Sequence, residues 1–100
     1  MQLNQIQGGY YSKSSGVLDT SDAAKTCWYI PLFEVHKKTT KYSIVTRIQY
    51  SVGICFYDKD KNFMSAISGS DTTRTVHEFD VPEDCRYIGI CSFDEKMENF

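Results

Sequence analysis

Val52-Gly53-Ile54-Cys55-Phe56-Tyr57-Asp58-Lys59-Asp60-Lys61-Asn62-Phe63-Met64-Ser65 is the stretch whose reading decides the fold. β-Branched and aromatic residues run into the turn formers Asp58, Asp60 and Asn62, and apolar character resumes at Phe63-Met64. The stretch reads as a β-hairpin at the centre of a sheet, and the rest of the chain is placed around it.

Upstream, the even positions from Ile44 are Thr46, Ile48, Tyr50, Val52, Ile54 and Phe56, whereas the odd ones include Arg47, Gln49, Ser51 and Gly53. A period of two with one apolar face is a half-buried strand, with Tyr50 in the core. Its length predicts a bend or bulge near Ser51 to Gly53. Residues 26–35 have the strongest β composition of the first half, and Pro31, which cannot donate to a ladder, places that strand at an edge or interrupts it. Leu3 and Ile6 mark a short first strand, Gly8-Gly9 breaks it, and Tyr10-Tyr11 opens the next segment. Residues 13–16 form a turn, and the polar loop 19–22 caps one turn of helix over 23–25. His36 to Thr40 is a basic turn.

Downstream, 68–73 is a polar loop, and 74–82 is a strand in which Val76 alternates with polar neighbours before Phe79 and Val81. Glu83-Asp84 turns the chain. The last strand, 86–93, sets Ile88 and Ile90 on one face and Tyr87 and Cys91 on the other. Residues 94–100 form an acidic tail expected to fray except where Phe93 or Phe100 docks. About six to eight short strands with closely spaced turns and hardly any helix predict an all-β fold, an antiparallel β-sandwich of jelly-roll type, as one domain over 1–100.

Composition narrows the function. The 41% hydrophobic and 14% aromatic content supports a folded core. Eleven basic and 13 acidic residues give a net charge of -2 and are interspersed, which argues against nucleic acid or an anionic membrane as partner. No apolar run approaches the ~20 residues of a membrane span, and Met1 to Gln5 lacks the features of a signal peptide. The expectation is a soluble chain without membrane insertion. A start at Met1 and an end at Phe100 fit a complete small protein, and an excised domain equally.

Cys27, Cys55, Cys85 and Cys91 contain no C-x-x-C pair, and His36 and His77 do not stand at finger-like distances from them, so no zinc site is expected. Reduced core thiols are the favoured reading, with one disulfide, such as Cys85 to Cys91, as the alternative. No G-x-S-x-G or Cys-His grouping is visible. The paired carboxylates Glu83-Asp84 and Asp94-Glu95 fall in a turn and a tail, and both histidines read as solvated. No enzyme is expected.

Asp58, Asp60 and Asn62 have the D-x-D-x-N spacing that opens a calcium loop. Phe63 and Gly69 occupy the positions where such a loop needs Gly and Glu, so a hairpin turn is the favoured reading and calcium the alternative. Aromatic side chains are the usual platform for sugar rings. Tyr11 and Trp28, next to loops, are the first candidates for ligand binding, followed by Tyr10 and Tyr57, with Tyr29 and Tyr50 also considered. The same rings would serve a protein interface.

Three segments, in order, carry a family resemblance. Trp28-Tyr29-Ile30-Pro31-Leu32 is similar to a "Y-I-P-V" strand, Phe56 to Ser65 to an "F-Y-D-x-n-K-x-F-I-S" hairpin, and Phe79-Asp80-Val81-Pro82 through Tyr87-Ile88 to an "f-x-V-P-x-x-a-x-Y-I" ending. The chain thereby resembles the carbohydrate-binding-module-like, galactose-binding-like jelly rolls of gut bacteriophage tail fibres and gut-bacterial surface proteins. Phe33-Glu34-Val35-His36 stands where that family has "P-G" after the first motif. The resemblance implies a non-enzymatic adhesion module that binds glycan. The alternative is a structural virion protein, a fibre or capsid-decoration piece that assembles with itself or with capsid protein. Either is expected at a virion surface after assembly in the bacterial cytoplasm, or at a bacterial surface within a larger protein.

Overall fold

In the computed structural model, which describes residues 4–36, 40–46, 53–67, 75–92 and 96–97, the regular structure of these residues is strand apart from one 3-10 turn. The strands are β1 (Ile6–Gln7), β2 (Tyr10–Tyr11), β3 (Leu18–Asp19), β4 (Trp28–Glu34), β5 (Lys41–Thr46), β6 (Ile54–Tyr57), β7 (Phe63–Ile67), β8 (Thr75–Asp80) and β9 (Tyr87–Ser92). The one-turn helix expected after the polar loop is a 3-10 turn, Asp22–Ala24. All pairings among the described strands are antiparallel: β1-β4-β9-β6-β7 form one sheet, β5 and β8 a ribbon, and β2 and β3 a second ribbon.

Side-chain alternation explains how these pieces stack. On one face of the five-stranded sheet, Ile30, Ile54, Phe56, Ile88 and Ile90 pack with Tyr42, Ile44 and Phe79 of the β5–β8 ribbon. Cys55, Tyr57 and Cys91 point the other way and pack with Tyr11 of the β2–β3 ribbon and with Cys27. The main sheet is thus covered on both faces over its middle, with an isoleucine layer on one side and a thiol and tyrosine layer on the other. The result is an antiparallel sandwich.

The β6–β7 hairpin forms as expected, but its place differs. β9, not the hairpin, is the middle strand, and β7 is an edge of the sheet. The reason is chemical: residues 88–92 are buried on both faces, so β9 needs cover on both sides, whereas β7 exposes Ser65. Pro31 interrupts β4 as predicted. Ile30 pairs with Ile90 and Phe33 with Ile88, so β4 bulges around Pro31-Leu32.

Three further expectations change. Val76 is 63% exposed, because Phe79 sets the inward register of β8. His77 is half-buried rather than solvated. In the tail, Met97 is 2% exposed and packs in the isoleucine layer, so this segment docks through Met97. The bend at Ser51 and Val52, the placement of Ile48 and Tyr50, the 68–73 loop, the 37–39 part of the basic turn, and Phe93 and Phe100 lie outside the described residues. The radius of gyration, 12.3 Å, is near the about 13 Å of a compact chain of this length.

Candidate ligand groove

Strand ends meet at one pole of the sandwich. Val81 N–H donates to Thr40 O at 2.9 Å, closing the β5–β8 ribbon, and Cys85 N–H donates to Pro82 O at 3.2 Å, closing a turn over Glu83-Asp84. Asp84 adopts φ 68°, a left-handed conformation that Asp tolerates better than most residues. Arg86 then locks the segment between two strands: its N–H donates to Tyr57 O and its carbonyl accepts from Val35 N–H, both at 2.8 Å.

These anchors frame a hollow of about 640 Å³. Val35, Val81 and Pro82 give it an apolar strip, and Glu34, His36, Thr40, Glu83 and Arg86 supply polar groups. A second hollow, of about 420 Å³, shares Cys85 and Arg86 with the first and is bordered by Asp58, Lys59 and Asp84. Arg86 Nη1 stands 3.9 Å from Glu34 Oε1, with both side chains more than half exposed. Such a pair is held loosely and leaves both groups able to turn to a ligand.

The structure brings His36 and Cys85 to the same hollow, a proximity the sequence did not disclose. The Cys85 thiol donates to Tyr87 O at 3.3 Å, and burial pushes its pKa up. A catalytic thiol needs the opposite shift.

The aromatic candidates do not form a platform. Trp28 packs against the isoleucine layer, whereas Tyr10, Tyr11 and Tyr57 belong to the thiol and tyrosine layer on the other face of the sheet. Tyr11 and Tyr57 are 4% and 3% exposed. Their hydroxyls are committed inside: Tyr11 donates to Ile30 O at 2.7 Å and Tyr57 to Gly16 O. Burial pushes both phenols well above the usual tyrosine range. Tyr10 and Trp28 are half-buried, and Lys96 Nζ lies 5.9 Å from the Trp28 ring centroid.

Asp58 is occupied by its own turn. Its Oδ1 accepts from the N–H groups of Asp60 and Asn62, both at 2.9 Å, and Oδ2 accepts from Asn62 Nδ2 at 3.4 Å. These bonds, that from Asn62 N–H first, hold its carboxyl below the usual range. Lys61, at φ 64°, completes the reversal. The D-x-D-x-N spacing is thereby accounted for by an Asx-type turn.

All four cysteines are free thiols, three of them buried. Among the described residues no helix is long and apolar enough to cross a membrane. No protein-family profile, curated protein or solved structure matches the chain. The groove was missed in sequence because residues 34–36 and 81–86 are far apart along the chain. The one local signal was the Val81-Pro82-Glu83-Asp84 turn ahead of the final strand.

Proposed function

We propose that this chain is a non-enzymatic binding module for a glycan, held in the groove beside Arg86 instead of on an aromatic platform. The observation that carries the reading is one open hollow in which the apolar strip of Val35, Val81 and Pro82 meets the acceptors Glu34 and Glu83 and the donor Arg86. A sugar ring offers the matching pair of surfaces, apolar C–H faces and hydroxyls that both donate and accept. The volume is in the range of small-molecule sites, about 300–1,000 Å³. The resemblance to carbohydrate-binding jelly rolls of gut phage and gut-bacterial surface proteins supports the same ligand class and a virion or cell-surface location.

The test is an amide-resolved NMR titration of the whole chain with neutral mono- and oligosaccharides. Shifts at residues 34–36 and 81–86, lost in Arg86→Ala and kept in Trp28→Ala, are expected. Shifts centred on Trp28, or none with any sugar, overturn it.

A second reading is a structural virion component that assembles with copies of itself. It is favoured by Ile6 and Leu18, each 37% exposed, and Val17, 64% exposed, along the edge strand β1 and the β2–β3 ribbon. Light scattering decides. A symmetric oligomer that Leu18→Glu dissociates supports assembly, and a monomer at all concentrations removes it.

A further inference from the structure

We infer that the ligand is an uncharged chain of linked sugars that crosses the Cys85-Arg86 ridge, not a single terminal sugar. The inference rests on the glycan reading above. The two hollows, of about 640 and 420 Å³, have Cys85 and Arg86 as their common wall, so a molecule filling the first reaches the second by passing over Arg86. The ridge is a fixed element, since the Arg86 backbone is bonded to both Tyr57 and Val35. Its side chain is 53% exposed and its guanidinium, only 3.9 Å from a Glu34 oxygen that it holds weakly, can donate to units on either side.

The second hollow has its own polar groups. Asp58 is spent on its turn, which leaves Lys59 and Asp84 to meet a ligand there. Charge sets the class. Four carboxylates, Glu34, Glu83, Asp58 and Asp84, line the two hollows against the cations Lys59 and Arg86. That excess of acid repels uronic or sulfated chains and leaves neutral ones favoured.

The test uses neutral galacto-, manno- and gluco-oligosaccharides from monosaccharide to hexasaccharide, and oligogalacturonates of the same lengths, with the full chain, followed by NMR. A monosaccharide is expected to shift residues 34–36 and 81–86 alone, and longer oligomers to add Lys59 and its turn neighbours. Affinity rises by about tenfold between one unit and three, the worth of about two extra hydrogen bonds. Lys59→Ala, at a residue that lines the second hollow and not the first, removes that gain and leaves monosaccharide binding unchanged.

Equal affinity at every length, with shifts that never reach Lys59, overturns the chain inference and leaves the glycan reading intact. Tighter binding of acidic than of neutral oligomers overturns the charge argument. Absence of binding at every length removes both.

Discussion

Gln5 and Met97 pair through two hydrogen bonds across 92 residues of sequence: Gln5 Nε2 donates to the Met97 carbonyl at 2.9 Å, and Met97 N–H donates to Gln5 Oε1 at 2.8 Å. A side-chain amide thereby copies the reciprocal pairing of an antiparallel ladder. It ties the segment before β1 to the C-terminal segment and seats Met97 in the isoleucine layer.

Gln5→Ala removes both bonds and is expected to cost about 1–3 kcal/mol in urea unfolding, at about 0.5–1.5 kcal/mol each. Met97→Ala empties a core site and costs about 2–5 kcal/mol. Because the bonds and the burial support each other, the double variant should lose less than the sum. Full additivity would separate the two effects.

Gly89 lies under Tyr11. A Cβ there would stand 2.9 Å from the Tyr11 ring and 2.9 Å from Leu32 Cδ2. Gly89→Ala is expected to destabilise by about 1–3 kcal/mol through overpacking. Tyr11→Phe, which keeps the ring and removes the bond to Ile30 O, should cost about 1–2 kcal/mol and leave saccharide binding in the groove unchanged. Loss of binding in Tyr11→Phe with a native unfolding midpoint would instead place Tyr11 at the ligand.

Thr46 is fully buried, and its Oγ1 has no hydrogen-bond partner among the described residues. Thr46→Val keeps the shape and removes the unsatisfied hydroxyl. A gain of about 1 kcal/mol in a denaturant titration is expected. A loss of that size would mean that the hydroxyl is satisfied in solution.

The thiols set an alkaline limit. Burial pushes Cys55 up to about 11 and Cys91 up to about 12 from an ordinary 9.0. With folded values above unfolded ones, their contribution is complete below about pH 9. It falls as pH rises towards about 12, because the unfolded chain releases protons that the folded chain keeps. Unfolding midpoints measured from about pH 8 to about pH 11 should decline, by up to about 1.4 kcal/mol per pH unit for each thiol. Cys55→Ala/Cys91→Ala should make the decline shallower, leaving the part that belongs to Cys85 and to the raised phenols of Tyr11 and Tyr57. An unchanged slope would assign it to other groups.

Much of the facing of residues along the strands was legible because alternation is local. Ile88 and Ile90 against Tyr87 and Cys91, and Ile44, Thr46, Ile54 and Phe56 as one inward set, follow from a period of two and appear in the two layers. Pro31 announced its interruption through its missing N–H. The site was less legible. An exposed aromatic and a buried one have the same letter, so Tyr11 and Tyr57 looked like surface rings, although their hydroxyls close bonds to Ile30 and Gly16.

By itself, the sequence determined an all-β antiparallel chain, the hairpin turn at Asp58 to Asn62 and the partition of β5, β6 and β9 into two faces. Each of these rests on interactions within a few residues: side-chain alternation, turn hydrogen bonds and the chemistry of proline. The tertiary structure decided that β9 is the central strand and that thiols and tyrosines form a second buried layer. It also decided that residues 34–36 and 81–86 share one groove. Those outcomes depend on which sheet face is covered and which strand ends meet. Burial on both faces is a property of the packed whole.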